Sequence, residues 1–515
     1  MRISLDASAL TWAIALTFLT VSHSTAEEPL SVIDWLSQAP EDGDVQTVLL
    51  EPPVSESALY PVISVAPLDT AVAPIGLVPA ARTGLPAAIF QRSDPDVLIG
   101  LIDRVPVQNS PAMQSLLYTV LLSETLPPQD PGAAAGLLRA RIDRLSRLGA
   151  VDPALAMAEL AGARNDADLF QRWFDASLLT GEEDPACAVL NRSPALSDDY
   201  AARIFCAARA GDWPQAELLR VGATAVGALD GDQADLVDRF LHPEFFEDAP
   251  LLPEPDAPDP LTFRLFEAIG ERLPTAPLPR AFANADLRDV AGWKAQIEAA
   301  ERLVRSGALS GNRLLGLYTE RRPAASGGVW DRVSALQKFE TALDRGDPTA
   351  VAQGLPAVWN AMEAAGTEVA FAELFADRLA EIALEDTAAQ DQVFRIGLLS
   401  SGYNDTTAIG PMQDDDTRFL LALATSQPDP ATAPDAQARA IADGFASYAA
   451  VPEDLQQLLD DDQLGEVILR AIILFDQGGR GNLADLTQAL ATFRAIGLDD
   501  TARRAALQLR LLRRT

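Results

Sequence analysis

Few of the 515 side chains combine a reactive type with a useful spacing. Two cysteines, Cys187 and Cys206, are the only pair. They lack the close C-x-x-C spacing of a redox site. In an oxidising compartment they read as one structural disulfide. The segment between them, AVLNRSPALSDDYAARIF, reads as a helix end, a turn and a new helix near Ser197-Asp198. The bond would then staple two antiparallel neighbours. Histidine is equally sparse. Beyond the leader only His242 remains, in FLHPEFF, where it reads as a helix-end residue with a local hydrogen bond or a dipole contact. It cannot build a Ser-His-Asp site alone, and G-x-S-x-G is absent.

The acidic triplets Asp414-Asp415-Asp416 and Asp460-Asp461-Asp462 lack the alternating ligands, Gly turn and distal Glu of a calcium loop. Both are expected to place charge at helix N-termini. FDQGGRG, from Phe475 to Gly481, has no Lys-Ser/Thr of a phosphate loop and reads as a connector. No metal and no cofactor is expected. Trp293, Tyr318, Arg321, Arg322 and Trp330 are of the types enriched at binding hot spots and form the candidate partner-binding set, lining a groove. At helical spacing the same residues also suit a core. The basic tail, Arg503, Arg504, Arg510, Arg513 and Arg514, is expected to dock on an acidic neighbour.

Charge excludes one partner class. Lys and Arg total 40 against 74 Asp and Glu, a net −34, whereas phosphate backbones are held by clustered Lys and Arg. Nucleic acid is therefore not an expected partner. Carboxylates are plentiful enough to leave paired-acid glycoside chemistry open.

The first 26 residues read as an export leader. Arg2 is followed by the apolar stretch from Ala9 to Val21 and by Ser24-Thr25-Ala26, with cleavage expected after Ala26. No later stretch reaches the length of a membrane span, so no integral membrane segment is expected after cleavage. The expected location is the periplasm.

Beyond the leader, residues 27–92 are rich in Pro, Val, Ser and Thr and read as an extended arm with one amphipathic patch around Trp35. Residues 93–247 turn helical: Leu98, Leu101, Ile102 and Val105 share a face, as do Met113, Leu116, Leu117, Val120 and Leu121. Asp130-Pro131 and Asp152-Pro153 read as helix starts, and Gly149 as a stop. After Gly211 and Asp212 a new helix is expected to turn Ala216, Leu219 and Val221 inward. Residues 248–280 carry eight prolines and read as an extended crossover, interrupted by a helix from Leu261 to Leu273. Residues 281–515 form a second helical array.

The turn at Gly211-Asp212-Trp213 resembles that of tetratricopeptide-type hairpins, and Leu343 to Pro348 looks similar, without the full 34-residue pattern. The block from Leu261 to Val333 resembles secreted helical proteins of alphaproteobacteria, which implies fold and export and carries over no active site. Gly410-Pro411-Met412-Gln413 resembles the Gly-Leu-Met-Gln motif of lytic transglycosylases, but neither Glu381 nor Glu385 supplies the upstream Glu-Ser. The expected fold is all-α: stacked antiparallel helical hairpins in a tetratricopeptide-like superhelix, an α-solenoid, behind an extended N-terminal arm. The expected function is a non-catalytic scaffold or protein- or peptide-binding protein of the cell envelope. The alternatives are a carboxylate-dependent cell-wall glycan hydrolase or lyase, and a structural envelope protein.

Overall fold

A computed structural model describes residues 74–128, 130–406 and 414–512. The leader, the Trp35 patch, the rest of the arm before Pro74, Gly410 to Gln413, and Arg513 and Arg514 lie outside the described residues. Residues 70–515 form one compact unit. The described residues are helical, with no β-strand and only two isolated bridges, Ile75 to Thr125 and Val78 to Ser123. None of their helices is long and apolar enough to cross a membrane.

The helices begin where short polar side chains can satisfy their first N–H groups. In eleven of the described α-helices that residue is an Asp: 94, 130, 166, 199, 212, 230, 259, 347, 386, 414 and 435. Part of the net acidity is thus spent on helix N-termini, where the dipole favours negative charge. Asp152 is not among them. The helix Val151–Leu160 starts immediately after Gly149 closes the one before it, so Asp152 and Pro153 fall inside its first turn, behind the N-cap Ala150. The two hairpins expected from Gly-Asp turns are present. Asp212 accepts from the Gln215 N–H between Tyr200–Arg209 and Trp213–Ala225, and Asp347 from the Ala350 N–H between Val329–Asp344 and Pro348–Ala365. At Gly478 helices meet closely: a Cβ there would lie 2.6 Å from that of Leu486.

The Pro-rich segment is built into the core from its helix onward, while Leu251 near its start is 78% exposed. Its helix, Pro260–Ala268, is shorter than expected because Gly270 turns into the left-handed region at φ 85°. Leu261, Phe263, Leu265, Phe266, Leu273 and Leu278 are all buried. The end of the arm is also packed: Ile89 and Phe90 are buried, and Arg141 fastens the segment before them. Buried in the helix Pro131–Leu148, Arg141 donates to the carbonyls of Ile75, Leu121 and Ser123 and to the Thr125 hydroxyl. Burial lowers its pKa to about 10.

Core order does not follow chain order. One cluster joins side chains from Leu85 to Ala285 with others from Phe394 to Leu507, and a second takes Ile297 to Leu399. The last helices therefore pack on the first. Gly465 N–H donates to the Ile89 carbonyl at 3.1 Å, and the Gln463 side chain to the Arg92 carbonyl at 3.0 Å. This departs from an open solenoid, in which each repeat touches only its neighbours.

Candidate functional site

The disulfide is formed. Cys187 in the helix Asp184–Arg192 is bonded to Cys206 in Tyr200–Arg209, and both are buried. It joins successive helices, as the turn at Ser197 implies.

The candidate partner-binding set divides in two. Trp293, Tyr318 and Trp330 come together, packed in or against the second core cluster. Trp293 and Trp330 have ring centroids 5.0 Å apart, and the Trp293 indole donates to the Leu317 carbonyl at 2.8 Å. Tyr318 is buried and donates to Glu301 at 2.6 Å, while Arg332 holds the same carboxylate at 2.6 Å. Arg321 and Arg322 are exposed on the following loop, and Arg321 pairs with Glu320 at 2.8 Å. Tyr318 fills the core, whereas Trp293 and Trp330 are half-buried and pack against it from the helices Trp293–Val304 and Val329–Asp344.

Two unusual sequence features find each other. In the C-terminal helix Asp499–Leu511, Arg510 bridges Asp416 at 2.7 Å and Asp435 at 2.6 Å, and Arg504 reaches Glu373 at 3.0 Å. The basic tail thus docks on acidic neighbours, one of them from the first Asp triplet. Asp414 caps the helix Asp415–Ala424, as expected. The second triplet differs. Asp460 ends the helix Glu453–Asp460, and Asp462 turns through φ 60°, because the helix that follows starts only at Leu464. His242 closes the helix Gly231–Leu241, with its ring Nε2 3.1 Å from Glu217. Among the described residues no group of three or more His, Cys, Asp or Glu side chains is placed to hold a metal ion.

Two features are not visible in the linear pattern. Helix Trp213–Ala225 buries only Ala216 and Ala223. Leu218 and Val221 are 66% and 51% exposed, and Trp213 and Val226 at its ends are exposed as well. The expectation that Val221 turns inward is corrected: at 100° per residue it lies about 140° from Ala216, whereas Ala223 lies about 20° away. Angles measured from the two buried alanines locate the outward stripe. The second feature is a group of carboxylates. Burial pushes Asp175 up to about 7, Asp259 and Asp199 add repulsion, and a hydrogen bond from Gln171 at 2.9 Å opposes the rise. Asp199 and Asp259 are helix caps, so no linear spacing marks the three as neighbours.

Compared with known proteins, the chain matches no family model, no curated protein and no solved structure.

Proposed function

We propose that this is an exported, non-catalytic scaffold that binds a protein or peptide of the cell envelope through its stacked helical hairpins. The supporting observation is the outward apolar stripe of helix Trp213–Ala225, where Leu218, Val221 and Ala225 recur at helical spacing in the open. Exposed apolar patches rimmed by polar groups mark interaction surfaces. The rim includes Asp212 and the ion pair of Glu217 with Arg220 at 2.6 Å, so the fitting partner has an apolar anchor and a polar margin. Export rests on the leader and agrees with the Cys187–Cys206 bond. The stripe is tested by crosslinking the native protein in the envelope, beside a variant with Leu218→Glu and Val221→Glu. One partner captured by the parent and lost by the variant is expected. Recovery of no partner, or of the same partner by both, overturns the reading.

A second reading, a wall-glycan hydrolase or lyase run by carboxylates, finds its best general acid in Asp175, whose raised pKa suits a proton donor near neutrality. Muropeptide release by the purified protein, lost in Asp175→Asn, would favour it.

A further inference from the structure

The helices Pro348–Ala365 and Thr387–Leu399 lie against each other and, with the last described helix, line a groove of about 460 Å³. Small-molecule sites occupy about 300–1,000 Å³. Both helices contribute side chains at the same spacing, i, i+1 and i+4. Pro348–Ala365 supplies Trp359, Asn360 and Glu363, and Thr387–Leu399 supplies Asp391, Gln392 and Arg395. Residues four apart are neighbours on a helix surface. Both such pairs are bonded: the Trp359 indole donates to Glu363 at 2.9 Å, and Arg395 Nε donates to Asp391 at 2.9 Å. These bonds fix the aromatic ring and the two carboxylates. Trp359 also meets Phe371 edge-on, with ring centroids 6.1 Å apart.

What is left unpaired defines the ligand. Among the described residues the side-chain amides of Asn360 and Gln392 have no hydrogen-bond partner, and each carboxylate keeps an oxygen that accepts nothing. Asn360 is exposed, and Glu363, Asp391 and Gln392 are half-buried. An amide donates and accepts, whereas a carboxylate only accepts. A hydroxyl does both, so a ring of hydroxyls satisfies this set without carrying charge. Trp359, half-buried in the wall, adds a flat apolar surface beside the polar groups. A sugar matches both parts, with hydroxyls around an apolar C–H face.

Charge narrows the class. Arg395 is shared between Asp391 and Asp416, and Arg510, which also lines the groove, is taken up by Asp416 and Asp435. Both guanidinium groups are thus engaged, while Glu363 makes no ion pair among the described residues. An anionic ligand would meet an uncompensated carboxylate.

We propose that this groove binds a neutral sugar of one or two rings, stacked on Trp359, with hydroxyls that accept from Asn360 and Gln392 and donate to Glu363 and Asp391. The groove lies on other helices than the apolar stripe and Asp175, so it stands whether or not a protein partner binds the stripe.

The test is calorimetric titration of the purified full chain with glucose, cellobiose, N,N′-diacetylchitobiose and glucuronate, beside thermal melts. Saturable binding of a neutral probe is expected, with glucuronate weaker than glucose. A disaccharide that binds tighter than glucose assigns the groove to a glycan chain, and equal binding assigns it to a free sugar. Asn360→Ala and Gln392→Ala should each weaken binding about threefold or more, the worth of one neutral hydrogen bond, and together about tenfold. Neither amide makes a hydrogen bond among the described residues, so both variants should melt with the parent. If the double variant melts lower, Asn360→Ala alone decides, because its side chain is exposed. The proposal is overturned by no saturable binding of any neutral probe up to about 50 mM, by glucuronate binding as tightly as glucose, or by equal binding of variants and parent.

Discussion

The side-chain carbonyl of Gln508 accepts the backbone N–H of Ala112 at 2.7 Å, across 396 positions of sequence. Both residues are buried. The bond satisfies one of the first N–H groups of Pro111–Leu122 with a side chain from the last described helix, so the chain's end caps a helix near its beginning. Gln508→Ala should leave that donor unmet, at a cost of about 1–3 kcal/mol. Urea unfolding should show a lower midpoint at unchanged slope. A lower slope as well would mean that the C-terminal helix detaches separately.

The Cys187–Cys206 bond closes a loop of moderate size. In the chain-entropy model such a loop is worth about 3 kcal/mol. The variant carrying Cys187→Ala and Cys206→Ala should lose roughly that much stability. Reducing agent should lower the melting temperature of the parent and leave that of the variant unchanged.

Glu267 sits among three guanidinium groups, with Arg288 at 2.6 Å, Arg272 at 3.7 Å and Arg264 in contact. Burial pushes its pKa up, but the hydrogen bond from Arg288 and the three charges outweigh burial and hold it below the ordinary value. A depressed carboxylate stabilises the fold above its unfolded pKa, and that stability is lost as pH falls through the folded one. Glu267→Gln leaves Arg288 without its carboxylate, while Arg264 keeps Glu183 and Arg272 keeps Asp286, and should cost about 1.5–3 kcal/mol at neutral pH. The gap between variant and parent should close in acid, as chemical denaturation across pH would show.

Asp175 behaves in the opposite sense. Its folded pKa of about 7 lies above the unfolded value, so the folded state holds the proton more tightly. Stability should therefore fall as pH rises from about 4 to 7 and level off above. Asp175→Asn removes this decline, and the variant should be the more stable protein at pH 8. Melting temperatures measured across that range decide it. A parent curve that rises toward pH 7 in step with the variant's would contradict the assignment.

Local signals are legible in the order of residues alone. Asp130-Pro131, Asp212 and Asp347 start helices because a capping carboxylate needs only the N–H groups two or three residues ahead of it. Gly149 and Gly211 stop them because L side chains avoid positive φ. The disulfide follows from the cysteine count and a turn between two helices. Period alone places Leu169, Trp173, Phe174, Leu178 and Leu179 inside, and all are buried.

Tertiary packing decided what those periods could not. Nothing within a few residues of Arg510 announces Asp416 and Asp435, and nothing near Tyr118 announces Arg280 or Arg144. The same holds for the aromatic set. Trp293, Tyr318 and Trp330 have the composition of a binding surface, and only the neighbouring helices bury Tyr318 and leave the two tryptophans half-buried. Order along the chain sets the helices, their caps and their staple, since those depend on nearby residues. The return of the last helices to the first was decided by the fold, because burying an apolar face constrains which surface it meets through shape and volume, not through order along the chain.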